Sequence, residues 1–498
     1  MYGSWTKLLP TNAWPRWAIV PVLAFVALAT DRAYLNDFWH HLARGREIVQ
    51  DGKLLDHDVF TFTVPGRAFQ DVNWLSQVVY FKLFQWGGLD LVRAVNAALV
   101  AISLGWLVLL CRRKSGSLGI AAAVGIFTFF GLWQVLTIRP QTFSLLLFVL
   151  VYDLLDRAES RPALLLLIPL LVGLWANLHG AFPAGIMLVG CFLLAAAWQA
   201  WRVGQSLFCR PVLRLGACLA GSALATLGNP YGWRIYQYVG LTSNTAAARR
   251  IDEWVPPSLD LWIGRAFLVS LLVTFALFAI NWYKHGRRPS ARELILFGCF
   301  LPLACGSVRM VAWWLLICAP IMAVKIADRL SEMRSRPADK PAWDAAAAFA
   351  VLVLFVAFSM PGLAAWNPLL KIRQSTTRTE DVLERVHARM ADHIPAGRIF
   401  SRFEWGEYLA WSFAPAHKIF MDGRIEIYPD EVWNAYASVT RGLPEWQAIL
   451  DQYGVTALVL DSDYHARTGL LPRVEESGAW QRVFESGPSV LYVRRPGL

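Results

Sequence analysis

The chain has 498 residues, of which 56% are hydrophobic and only 17% charged, with a mean hydropathy of +0.41. That exceeds what a soluble core of this size needs and predicts a polytopic helical membrane protein. The net charge of +11 does not mark a nucleic-acid binder: the basic residues form no contiguous stripe but lie in short loops between apolar runs.

Apolar runs long enough to approach the ~20 residues of a membrane crossing fall near 14–30, 90–111, 118–138, 141–156, 163–178, 181–201, 212–228, 262–283, 292–308, 310–327 and 344–363. About eleven spans are therefore expected. The basic loops (Arg112 to Lys114, Arg157 and Arg161, Arg202 to Arg214, Lys284 to Arg288, Arg329 to Lys340) define the cytoplasmic face by the positive-inside rule. The N-terminus is then cytoplasmic and the C-terminus outside. No small-residue cleavage site follows the first run, which reads as a retained helix. The seven cysteines lie within or beside spans without metal-binding spacing and read as packing residues.

Residues 36–86 form a long first outer loop, too polar to span yet rich in Trp, Phe, Asp and His. Asn36 to Asp51 sets Phe38, Leu42, Gly45 and Val49 on one face, with Arg44, Glu47 and Asp51 away from it. Asp71 to Trp86 repeats the pattern with Trp74, Leu75, Val78, Phe81 and Gln85. Both segments are expected to be amphipathic helices in the interface, with Trp39, Trp74 and Trp86 at headgroup depth and a turn-rich link from Asp56 to Gly66. Asp37 stands just outside the first span, placed to act as a general base. Asp58 and Asp71 could assist it, or share a divalent cation with it through oxygen ligands. The structural alternatives are turn chemistry for Asp58 and helix capping for Asp71. The adjacent His40 and His41 read as interfacial structural residues, since neighbours on a helix point apart.

Further along, tight outer turns carry Arg139 (Ile138–Gln141), His179 (Asn177–Gly180) and Arg309 (Ser307–Met310). A longer outer segment opens at Asn229–Gly232 and holds Arg249, Arg250, Asp252 and Glu253. Guanidinium groups suit phosphate, offering paired donors and a permanent charge. Arg139, His179, Arg309 and Arg250 are thus candidate ligands for a lipid-linked phosphate. The competing reading gives each Arg to a helix terminus or to anionic headgroups. No Asp, Glu, Lys or Arg falls at mid-depth of an expected span and no internal repeat is visible, which disfavours an ion-coupled transporter.

From 364 to 498 the pattern alternates helix and strand. An amphipathic helix over Glu380–Ile394 precedes strands at Arg398–Ser401, Lys418–Met421, Val455–Asp461 and Val490–Arg494, with helices near Gly406–Phe413, Asp430–Val439 and Pro444–Tyr453. The predicted organisation is a membrane domain over 1–363, including the loop, and a small α/β domain over 364–498 on the outer face. Glu404, Trp405, Asp422 and Arg424 lie in loops after strands, where ligands bind in open α/β sheets, and are candidate acceptor contacts. An Asp-Gly turn closed by an Arg424 ion pair is the structural alternative.

The strings DFWHHLARGREI, DVNWLSQ, TIRPQTFS, NLHGAF, NPYGW, DEWVPP and RFEWGEYL…KIFMDGRIEIY resemble those of bacterial membrane proteins described as GT-C-like. The layout resembles the GT-C superfamily of membrane glycosyltransferases, which includes protein O-mannosyltransferases, lipid A aminoarabinose transferases and oligosaccharyltransferases. The resemblance implies an inverting transfer from a polyprenyl-phosphate or polyprenyl-diphosphate sugar to a glycan, lipid or protein acceptor outside a bacterial plasma membrane. It implies a catalytic Asp in the first outer loop, matched here by Asp37; many members carry two adjacent acids where this chain has Asn36-Asp37. Metal dependence varies among members and is not carried over. The alternatives are a lipid or glycan transporter and a non-catalytic assembly protein of envelope glycan synthesis.

Overall fold

The computed structural model describes residues 14–30, 36–249, 251–333 and 397–495. The expected span at 344–363, the expected helix at Glu380–Ile394 and Arg250 lie outside the described residues. The chain divides into two compact units: Met1–Asp31, Leu89–Val239 and Ala247–Asn367 make one, and Arg32–Gly88, Gly240–Ala246 and Pro368–Leu498 the other. By its contacts the 36–86 loop belongs with the C-terminal region, whereas the sequence division groups it with the spans.

The first unit is helical, and the chain is a membrane protein. Its helices are α1 (Trp14–Thr30), the Leu89–Ser115 part of α3 (Trp74–Ser115), α4 (Leu118–Leu132), α5 (Gln141–Arg157), α6 (Leu167–Leu178), α7 (Pro183–Arg202), α8 (Arg210–Thr226), α10 (Trp262–His285), α11 (Ala291–Gly306) and α12 (Val311–Met333). Each falls on an expected apolar run. Among the described residues, five helical segments are both long and apolar enough to cross a membrane: Trp74–Ser115, Leu118–Val135, Pro183–Arg202, Trp262–Lys284 and Val308–Leu330. The segments Ile19–Ala29 and Pro162–Leu178 are shorter apolar helices. A helix of 16 or 17 residues, such as α5, α8 or α11, rises only about 24–26 Å, short of a ~30 Å hydrocarbon core. An additional helix, α9 (Arg234–Ala248), occupies the segment after Asn229–Gly232 that hydropathy leaves unassigned. Charges cluster at helix ends: Asp156 on α5 takes Lys114 (2.5 Å) and Arg113 (2.8 Å) from the end of α3.

In the second unit, α2 (Asn36–Asp51) packs on the Trp74–Trp86 turns of α3, which end where Gly87 and Gly88 leave helical geometry. Gly88 adopts φ 62°, a conformation that a side chain disfavours. The two helices approach closely because residue 45 lacks a side chain: a Cβ there would stand 2.3 Å from the Gln77 carbonyl oxygen. For α2 alone the interfacial expectation is corrected here. From Phe38 to Gly45 every residue of α2 is buried, Arg44 on the expected polar face included. Trp39 packs against Tyr408 (5.0 Å) and Trp411 (6.4 Å) of α13 (Phe403–Phe413) instead of standing at headgroup depth. Helix α13 thus covers Trp39, which was expected at headgroup depth.

The C-terminal region forms a five-stranded sheet in the order β2 (Lys418–Ile419), β1 (Arg398–Ser401), β3 (Ala457–Asp461), β5 (Ser489–Arg494), β4 (Trp480–Ser486). β1 runs parallel to β2 and β3, while the β4–β5 hairpin is antiparallel. β4 was missed in the sequence because its residues mix Gln, Arg and Glu into a half-exposed edge. At the opposite edge the loop supplies what amounts to another pairing: Thr61 bridges Ile419 in parallel, Ile419 N–H donates to the Phe60 carbonyl and Phe62 N–H to the Ile419 carbonyl, both at 3.2 Å. Thr63 Oγ1 donates to the Phe420 carbonyl at 2.6 Å. An edge strand with unpaired backbone groups is a liability, and the loop closes it.

Candidate functional site

Two clusters of guanidinium and carboxylate groups stand out, one in each unit. In the helical unit, four connections contribute. Arg139 precedes Pro140, the N-cap of α5; His179 caps the end of α6 in extended geometry; Arg309 sits in a 3₁₀ turn between α11 and α12; Glu253 sits in another between α9 and α10. Glu253 pairs with Arg139 through Oε1 and with Arg309 through Oε2, the latter at 3.6 Å. Arg309 Nη2 stands 3.2 Å from His179 Nε2, and His179 Nδ1 2.7 Å from Ser144 Oγ, which also accepts from Trp175 Nε1 at 2.6 Å. A guanidinium nitrogen can only donate, so Nε2 accepts and the proton lies on Nδ1.

The electrostatics agree with that tautomer. Burial, together with the Arg309 and Arg139 charges, holds His179 well below the ordinary histidine range, so it is neutral. Burial works to raise Glu253, but Arg139 and Arg309 outweigh it and keep its carboxyl below the usual range. The cluster is partly open: side-chain exposure is 17% for Arg139, 32% for Arg309 and 33% for Glu253. His179 was read as a basic ligand for phosphate; it is a neutral, buried group whose contact is with Arg309. Three of the four rim residues therefore come together around Glu253, an acid to which the sequence alone gives no role. Its sign, opposite to that of its neighbours, was the available clue.

The second unit holds the loop acids. Asp37 lies in the first turn of α2, half-buried. Asp58 and Asp71, read as its helpers, are sealed in. Asp58 accepts from Thr61 N–H (3.0 Å), from the Thr61 hydroxyl (2.7 Å) and from Arg424 Nη2 (2.5 Å). Arg424 also grips Asp422, whose carboxylate takes the Tyr428 hydroxyl at 2.8 Å, and its guanidinium lies over Phe69 and Phe60. Burial opposes ionisation of both Asp422 and Arg424. The Arg424 charge nonetheless holds Asp422 below the usual range, and Asp422 with Asp58 hold Arg424 well above its own. Side-chain exposure here is 2% for Arg424, 0% for Asp58 and 1% for Asp422.

Asp71 Oδ1 accepts from Gln77 Nε2 (2.7 Å) and Arg44 Nη1 (3.1 Å). Burial pushes its carboxyl above the usual range, against the pull of Arg44, Gln77 and Arg424. Gln77 Nε2 and Arg44 Nη2 both lie 3.3 Å from His41 Nδ1, which therefore accepts. His40 Nδ1 reaches Glu407 Oε1 of α13 at 2.9 Å.

These positions correct two readings. Asp58 and Asp71 are each engaged by a buried guanidinium, so they do not converge with Asp37 on a cation; no group of three or more His, Cys, Asp or Glu among the described residues could hold a metal ion. Among the acceptor candidates, Asp422, Arg424 and Trp405 are buried, and the Asp422–Arg424 turn realises the ion-pair alternative while fastening the loop. Only Glu404 is partly open, where it pairs with Arg402, which also holds Asp461 at 2.7 Å.

No protein-family model matches the chain, and no curated protein matches it. Solved structures do. The chain is similar in fold to the oligosaccharyltransferase of Archaeoglobus fulgidus in its apo form, with TM-score 0.53 and 12% identity over 99% of this chain and 75% of that one. An archaeal oligosaccharyltransferase from Archaeoglobus fulgidus in complex with an inhibitory peptide and a dolichol-phosphate gives 0.51 and 13% over 99% and 75%. The enzyme of the apo structure, tethered to an acceptor peptide containing the NVT sequon, gives 0.52 and 13% over 97% and 74%. The fold is the GT-C fold.

Proposed function

We propose that this chain is a GT-C-type glycosyltransferase that moves a sugar from a polyprenyl-phosphate or polyprenyl-diphosphate donor to an acceptor on the extracytoplasmic side of a bacterial plasma membrane. The observation that carries the reading is the convergence of Arg139 and Arg309, from separate helical turns, in a partly open cluster of a membrane chain. Paired guanidiniums offer a phosphate charge-assisted hydrogen bonds, and His179 orients Arg309 from behind. The Archaeoglobus relative of similar fold was solved with a dolichol-phosphate, which is in keeping with a lipid-linked donor.

Asp37 is assigned the base. It would take a proton from the acceptor hydroxyl or amine as that atom attacks the anomeric carbon opposite the phosphate. The carbon–oxygen bond to phosphate then breaks, its electron pair leaves with the phosphate, and configuration inverts. Asp58 and Asp71 take positioning roles through Arg424 and Arg44, and the C-terminal region stands on the side of the acceptor, which is a glycan, lipid or protein. Full-length protein in proteoliposomes carrying lipid-linked sugar tests the assignment. Asp37→Asn should lower transfer by roughly 10²–10⁴-fold, the usual range for loss of a general base, with melting unchanged. Full turnover in that variant removes the mechanism, and lipid or glycan flux without donor turnover replaces it with transport.

A further inference from the structure

Ser144 of α5 is wholly buried, and its hydroxyl oxygen faces two N–H groups of α6 and its cap. The first is the Trp175 indole Nε1–H at 2.6 Å, a group that can only donate. The second is His179 Nδ1 at 2.7 Å, which carries the ring proton because Arg309 donates to Nε2 at 3.2 Å. Trp175 and His179 stand one turn apart, with His179 N–H donating to the Trp175 carbonyl at 2.9 Å. The indole is wedged in place. Phe148 meets it edge-on at 6.5 Å, Trp313 lies at 6.1 Å, and a Cβ on Gly185 of α7 would stand 2.7 Å from its ring.

A hydroxyl oxygen has two lone pairs, enough to accept from both N–H groups. Without that oxygen the two N–H bonds converge on an empty point. Moving the imidazole proton to Nε2 relieves the conflict by turning a bare Nδ1 toward Trp175, but it sets an N–H against the Arg309 guanidinium. Arg309, 32% exposed, is the member with room to withdraw. We infer that Ser144 is a positioning residue: as shared acceptor for Trp175 and His179, it selects the imidazole tautomer whose bare Nε2 holds Arg309 at the rim. The inference rests on the phosphate role proposed above for Arg309.

Full-length protein in nanodiscs, with its histidines labelled by an NMR-active nitrogen isotope, reports the tautomer, because protonated and bare ring nitrogens resonate apart. The His179 signals are those missing from His179→Gln. The wild type should show the proton on Nδ1. Ser144→Ala should move it toward Nε2, and Ser144→Thr, which keeps the hydroxyl, should leave it in place. Farnesyl methyl phosphate titrated into the same samples should bind Ser144→Ala about 2–10-fold more weakly, the worth of one hydrogen bond, and the Thr variant as the wild type does. A packing role alone lowers melting in Ser144→Ala and leaves the tautomer unmoved; that result overturns the inference. So does a wild type with its proton on Nε2, which requires no variant to fold. Affinity lost in Arg309→Gln but kept in Ser144→Ala sinks the positioning role alone. Affinity kept in Arg309→Gln sinks the phosphate role first, and the inference with it.

Discussion

The Arg139–Glu253–Arg309 cluster and the Asp58–Arg424–Asp422 cluster use the same chemistry in opposite proportions and opposite surroundings. One has two cations sharing one acid in the half-open; the other has two acids sharing one cation, sealed from water. Sealing turns charge into architecture: a buried guanidinium between carboxylates is out of a ligand's reach, and its removal strands the acids. Partial opening leaves donors able to change partners. Exposure, more than residue type, decides which cluster is read as a binding site.

The sharpest way to break that contrast is to remove the cation from the sealed cluster. Arg424→Ala should destabilise the second unit by about 3–5 kcal/mol, the range for an abandoned buried ion pair, seen as lower melting and faster proteolysis. Unchanged melting would mean that the cluster is solvated. In the open cluster, Arg139→Ala or Arg309→Ala should instead weaken donor binding by roughly 10–100-fold, the loss of one charge-assisted hydrogen bond, with little change in melting. Equal losses of stability in the two clusters would erase the distinction.

Gly45→Ala tests the scaffold around Asp71. A methyl pressed against the Gln77 carbonyl should cost about 1–3 kcal/mol as overpacking; a neutral result would show that the helices can part. The smallest effect is that of acid. Asp422 has a depressed carboxyl, so its stabilising contribution is complete above the ordinary Asp value of about 4 and is lost as pH falls below that toward the depressed value. Thermal scans of the second unit should therefore be flat in this respect above pH ~4 and decline below it. An Asp422→Asn variant that declines just as steeply would assign the acid sensitivity elsewhere.

Much of the fold was legible because hydrophobic runs report helices directly: α1, the second part of α3, α4 to α8 and α10 to α12 lie where the apolar runs fall. α9 was not, since Arg234–Ala248 mixes Gln, Ser, Asn and Thr among its apolar residues. The rim turns are legible because an Arg in so short a connection between apolar runs has nowhere else to be. Glu253 was passed over because sequence gives no distance, and an acid 114 residues from Arg139 shows no sign of pairing with it. The same blindness affected the loop. Amphipathic periodicity tells that α2 buries a face, but not that α13 covers the other, so His40 and Trp39 are expected at the membrane interface and Arg44 in solvent, whereas all three are buried.

The pairing of residues 60–62 with the Lys418–Ile419 strand carries a consequence for biogenesis. Asp58 and Arg424 are 366 positions apart. At ~5–20 residues per second of translation, the earlier segment leaves the ribosome roughly 20–70 s before its partner exists. Through that interval Phe60, Phe62 and the Asp58 carboxylate have no permanent shelter. Nascent chains of this protein should accordingly depend on an insertase or chaperone to guard the early segment until the last quarter of the polypeptide has been made.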